Sequence, residues 1–361
     1  MVDNQFLLFI GTYTHRGGRG IEVGGFDAGT GTLTTPELAF ELTNPSFLAL
    51  DPSNSHLYAV TEVDDYQGGV SGALSSFNLD RHSGALKFLN RQPTQGPGPC
   101  YVDVDVHGKN AIVTNYAGGS VAVLPINADG SLASPSDFVQ HEGITGPNSD
   151  RQDGPHAHSA NLDYQTGRVY INDLGLDQIK SYELDSGSGT LDPIGLDVQL
   201  HPGAGPRHFD FHPDGRYAYT INELDSTITM MDYDRTVGRL TPKQTVRALP
   251  DTWDGENTTA DLHVSPDGLF IYGSNRGHDS IVIYAINANS GRLAFVGHES
   301  TGGKNPRNFV IDPSGRYLLV ANQDSDNIIV FERDLNSGQL TVTEGEISVS
   351  MPVCLKLVPT A

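Results

Sequence analysis

The chain has 361 residues, of which 37% are hydrophobic and only 18% charged, with 41 Gly, 21 Pro and a formal net charge of −22. That composition favours many short strands joined by tight turns over long charged helices, and the negative charge argues against nucleic acid or an anionic membrane as partner, because both reward clustered Lys and Arg. Cys100 and Cys354 are too few for a disulfide framework or a thiolate metal cage and read as small core residues. No stretch approaches the roughly 18 apolar residues that span a bilayer, and the apolar run at 6–10 lacks the basic start and cleavage site of an export signal; a soluble, cytoplasmic protein is expected.

In chain order, the first apolar segment, residues 6–12, reads as the second strand of a repeat unit whose first strand is missing. A Gly followed two positions later by Leu then recurs to the end: Gly31-Thr-Leu33, Gly84-Ala-Leu86, Gly130-Ser-Leu132, Gly189-Thr-Leu191, Gly238-Arg-Leu240, Gly291-Arg-Leu293 and Gly338-Gln-Leu340. The spacing of about 46 to 59 residues suits a four-stranded propeller blade. Between these turns lie hairpins with Pro and Gly or Asn in the loop, at Pro52-Ser-Asn54, Pro213-Asp-Gly215, Pro266-Asp-Gly268 and Pro313-Ser-Gly315, each flanked by apolar strands. The last segment, Pro352-Val-Cys-Leu-Lys-Leu-Val358, resembles Pro45-Ser-Phe-Leu-Ala-Leu50 and supplies the missing strand. The expectation is an all-β chain, a single seven-bladed β-propeller domain over residues 1–361 with four-stranded blades, its ring closed by the C-terminal strand pairing in the N-terminal blade.

The repeated turns are what folding requires, so chemistry is sought where the blades differ. Entering first strands are Gly154-Pro-His-Ala-His-Ser159, Gly205-Pro-Arg-His208 and Asn305-Pro-Arg-Asn308, with Asp261 and His263 on the first strand of the sixth blade; leaving second strands are Asn115-Tyr116, Asn222-Glu223, Asn275-Arg276 and Asn322-Gln323. Propeller topology directs these loops to one mouth, where arginines, histidines and a glutamate suit an anionic ligand. The polar segment 141–153 and the segment 251–259, with the lone Trp253, are expected either as partial lids or as disordered decoration.

The strings Gly-Pro-His-Ala-His-Ser, Gly-Pro-Arg-His-Phe-Asp-Phe-His-Pro-Asp-Gly and Asn-Pro-Arg-Asn-Phe, with Asn-Glu-Leu-Asp-Ser, resemble the propeller lactonase family over essentially the whole chain. That family includes the non-metal 6-phosphogluconolactonases and the carboxymuconate lactonizing enzymes. The resemblance implies His158, Arg207, Glu223 and Arg276 as catalytic groups, with His156, His263 and Arg307 as substrate-binding supports. It implies a small anionic lactone as substrate and hydrolysis without metal or cofactor. A monomer is the default for a closed ring. Two other readings stand beside hydrolysis: a cycloisomerase that forms a lactone without consuming water, and a non-enzymatic binding propeller.

Overall fold

The computed structural model describes residues 4–360, which contain strands and turns and no helix. The contacts divide them into two units, one made of residues up to Leu38 together with those from His208 onward, the other of Ala39–Arg207.

The first unit holds four antiparallel sheets, each built around four strands. One consists of Thr32–Leu33, Gly20–Asp27, Gln5–Thr12 and Pro352–Pro359; the others begin with Pro206–Phe211, Thr258–Val264 and Pro306–Ile311 and end with Arg239–Arg247, Leu293–Ser300 and Leu340–Ser348. The second unit holds three such sheets, which begin with Leu48–Leu50, Pro99–Val104 and Ala157–Asp163. Seven blades are therefore present, as the repeat predicts.

The C-terminal strand does complete the first blade. Pro352–Pro359 runs antiparallel to Gln5–Thr12, from Phe6 opposite Pro359 to Gly11 opposite Cys354. Its Leu355 joins Leu8, Ile10, Phe26, Leu319 and Val330 in one buried cluster, so the strand contributes core side chains as well as backbone bonds. Burying such a leucine is worth about 1.5–3 kcal/mol.

All seven glycines of the Gly-x-Leu turns have positive φ, between 67° and 83°, which an L side chain adopts only with strain. At Gly130 a Cβ would also fall 2.0 Å from the His56 ring. The turns serve a second purpose between blades. Tyr219 donates its hydroxyl to the Gly291 carbonyl at 2.9 Å, Tyr272 to Gly338 at 2.8 Å and, in the other unit, Tyr58 to Gly130 at 3.2 Å. Each buried hydroxyl is thereby satisfied by the neighbouring blade's turn, and burial raises all three phenols, Tyr272 to about 12.

Neither of the two irregular segments is loose decoration. In 141–153, His141 Nδ1 lies 2.7 Å from Asp173 Oδ2, and the buried Gln152 amide donates to Leu174 O and Asp177 Oδ1 at 2.8 and 2.7 Å. In 251–259, Trp253 meets the His278 ring edge-on at 4.7 Å, and Asn257 donates to Ser226 Oγ at 2.9 Å.

Candidate active site

One backbone device recurs where the candidate residues lie. Near the N-terminal end of several first strands the pairing skips a residue: Pro99 faces Asn115 and Tyr101 faces Thr114, leaving Cys100 over. In the same way His158 is left over between Ala157 and Ser159, Arg307 between Pro306 and Asn308, and Val353 between Pro352 and Cys354. In Thr258–Val264 the skip spans Ala260 and Asp261. Such a bulge breaks the strict alternation of a strand and re-aims the extra side chain. Proline suits the position before it, because a bulge is where a ladder bond is already lost.

Glu223 and Arg276, from neighbouring blades, are brought together. Glu223 follows the strand Tyr217–Asn222 and Arg276 ends the strand Phe270–Arg276. Arg276 Nη2 stands 3.1 Å from Glu223 Oε2, with side-chain exposures of 12% and 5%, and donates to the Thr259 carbonyl at 2.7 Å. Thr259 also donates its hydroxyl to the Asn222 carbonyl at 2.7 Å, so one strand entry ties both loops in place.

Two residues further along that strand lies a second charged cluster. The Asp261 carboxylate accepts from His208 Nδ1 at 2.6 Å and Leu262 N at 3.0 Å through Oδ1, and from His263 Nε2 at 3.1 Å, Asn308 Nδ2 at 2.5 Å and Phe309 N at 3.1 Å through Oδ2. Burial alone pushes a carboxyl up, but the two imidazoles outweigh it and hold Asp261 well below the usual range. His263 is raised: burial opposes its charge, and the Asp261 carboxylate overcomes that with help from Asp210. Asp210 is pushed up to about 6 by burial, against the pull of His263. The Arg307 guanidinium lies 5.2 Å above the Tyr13 ring.

In the other unit His156 and His158 share one partner. The His156 ring stacks on Tyr116 at 4.6 Å and His158 meets the same ring edge-on at 5.5 Å. His156 is fixed further by the Tyr116 carbonyl on Nδ1 and Asp153 on Nε2, both at 2.9 Å, while His158 is only 4% exposed with Nδ1 3.9 Å from Cys100 Sγ. Arg207 is 2% exposed, in the strand Pro206–Phe211. Sequence reasoning assigned no role to Asp153, although a carboxylate three residues before a loop histidine is the available signal. Among the described residues no group of three or more His, Cys, Asp or Glu side chains is arranged to hold a metal ion.

The sequence profile of the family described as "Lactonase, 7-bladed beta-propeller" matches residues 7–357. The chain belongs to that family. This propeller lactonase is 39% identical over 352 residues, 98% of each chain, to the 6-phosphogluconolactonase of Bacillus subtilis. It is 36% identical over 310 residues, 84% of its own length and 86% of the relative's, to that of Formosa agariphila. Among solved structures, the periplasmic gluconolactonase PpgL of Pseudomonas aeruginosa superposes with a TM-score of 0.91 at 34% identity, over 99% of the lactonase chain and 100% of PpgL.

Proposed function

We propose that this lactonase hydrolyses 6-phosphogluconolactone to 6-phosphogluconate, a step of the pentose phosphate pathway. The observation that carries the reading is the buried Glu223–Arg276 pair at 3.1 Å, in a chain 39% identical to a 6-phosphogluconolactonase.

In the proposed reaction a carboxylate or imidazole takes a proton from water, and the resulting hydroxide adds to the lactone carbonyl. Guanidinium N–H groups hold the oxyanion that develops, the ring C–O bond breaks, and the departing alkoxide takes up a proton. Glu223 and His158 share the base and acid roles, Arg207 and Arg276 serve the oxyanion and the substrate's anionic end, and His156, His263 and Arg307 support binding. The planar guanidinium fork suits both a carboxylate and a phosphate. The roles of His158 and Arg207 rest on the resemblance of their strings. We further read the enzyme as a cytoplasmic monomer that does not bind nucleic acid, in keeping with its net charge of −22.

The test is the decay of freshly generated 6-phosphogluconolactone with and without protein, beside unphosphorylated gluconolactone and with chelator present. Chelator-resistant acceleration of the phosphorylated lactone is expected. No acceleration of either lactone would refute the assignment, and a product formed without consumption of water would indicate cycloisomerase chemistry.

A further inference from the structure

We infer that Asp261 is a positioning residue of the proposed site: from a strand bulge its carboxylate holds His208 and His263 in fixed tautomers and braces the strands that carry Arg276 and Arg307. The kinetic part of this inference rests on the lactonase reading; the structural part does not.

Asp261 is 1% exposed and accepts from five donors. A carboxylate so surrounded stays ionised and has no proton to give. The hydrogens therefore sit on the histidines: His208 carries one on Nδ1 and His263 one on Nε2. The bulge makes this possible, because it removes the ordinary ladder partner, and Asp261 N accordingly donates to Ser274 Oγ at 2.9 Å.

The brace extends in two directions. Towards the start of its own strand, two residues away, the Thr259 carbonyl holds Arg276 at 2.7 Å. Across to the next blade, Asn308 and Phe309 both donate to Asp261, and they directly follow Arg307 in the chain. Asn308 in turn accepts from Leu355 N of the closing strand at 2.7 Å. With His208 on the preceding blade, one buried carboxylate thus joins three consecutive blades directly and reaches a fourth, the one completed by the C-terminus, through Asn308.

Among the described residues, the charged groups acting on His263 are Asp261 of its own strand, Asp210 of Pro206–Phe211 and Lys356 of Pro352–Pro359; Phe309 meets its ring edge-on at 4.8 Å. Both carboxylates raise His263 and Lys356 lowers it. His263 therefore keeps its proton to higher pH than an ordinary histidine, and removal of the Asp261 charge moves its titration downward.

The experiment is imidazole ¹⁵N NMR titration of the full chain, wild type and Asp261→Asn, with steady-state rates on 6-phosphogluconolactone. In the wild type, His208 should be the Nδ1–H tautomer and His263 should titrate above the ordinary value of about 6.5. In Asp261→Asn the His263 titration should fall, and kcat/KM should drop by roughly 100-fold, the scale set by small misplacements of catalytic groups. A variant with wild-type titrations or wild-type turnover would overturn the inference. So would a wild-type His263 that titrates at or below the ordinary value of about 6.5, a measurement that stands even if the variant does not fold. A raised His263 titration and an Nδ1–H His208 in a protein inactive on every lactone would uphold Asp261 as the hub while removing the proposed substrate.

Discussion

Replacing Glu223 with Gln separates the chemical from the structural contribution of the buried ion pair. At 3.1 Å the bare attraction is about 5 kcal/mol for an effective dielectric of 20, much of it offset by the cost of removing both charges from water. Gln keeps the size of the side chain and one acceptor oxygen, and Arg276 keeps the Thr259 carbonyl. The expected stability loss is therefore that of a hydrogen bond to a charged group, about 1.5–3 kcal/mol, rather than the 3–5 kcal/mol of a fully broken pair. Turnover should fall about 100- to 10,000-fold if the carboxylate acts as base or acid, equivalent to about 2.7–5.4 kcal/mol of barrier. Initial rates above spontaneous lactone decay read the first effect. Urea unfolding followed by the fluorescence of the single Trp253 reads the second. Glu223→Gln combined with Arg276→Gln should cost less stability than the two changes summed. Wild-type turnover in Glu223→Gln would reject the residue as catalytic, and strict additivity in the double variant would show that the pair carries no coupling.

Truncation after Ser350 removes the strand Pro352–Pro359, exposing the Gln5–Thr12 edge and taking Leu355 from the core; the expected product is insoluble or lacks cooperative unfolding, and a soluble chain with a sharp urea transition would contradict this. Tyr272→Phe deletes the 2.8 Å bond to the Gly338 carbonyl and leaves a buried acceptor, at an expected cost of about 1–3 kcal/mol; an unchanged urea midpoint would show that the inter-blade bond contributes nothing measurable.

Much of the fold was legible because its punctuation repeats. A positive φ is needed at each Gly-x-Leu glycine, so the residue type reports the backbone directly, and seven copies count seven blades. At residue 54, where Asn replaces the Gly of the related hairpin turns, φ is still 56°; Asn tolerates that region better than most residues. Short additions escaped the reading: the hairpin of Asp65–Tyr66 with Gly69–Val70, and Val198–Gln199 against Gln178–Asp185. Strands of two residues have no periodicity to detect.

The site was legible in residue type more than in arrangement. Glu223 and Arg276 were both singled out, but their pairing depends on where two loops of adjacent blades meet. Asp261 and His263 stood out as an alternating pair on one strand, whereas the bridge to His208 and Asn308 spans 53 and 47 residues of sequence. Such a hub is written in no single motif.

The bulge has a consequence for how repeated blades acquire different chemistry. A residue with no opposite number in the ladder can be exchanged without disturbing a cross-strand neighbour, and here the equivalent slots hold His158, Arg307, Cys100 and Val353. A chain assembled from near-copies therefore needs no irregular architecture to become chemically asymmetric. One interchangeable socket per copy suffices, and duplication multiplies the sockets while the turns that hold each copy together stay the same.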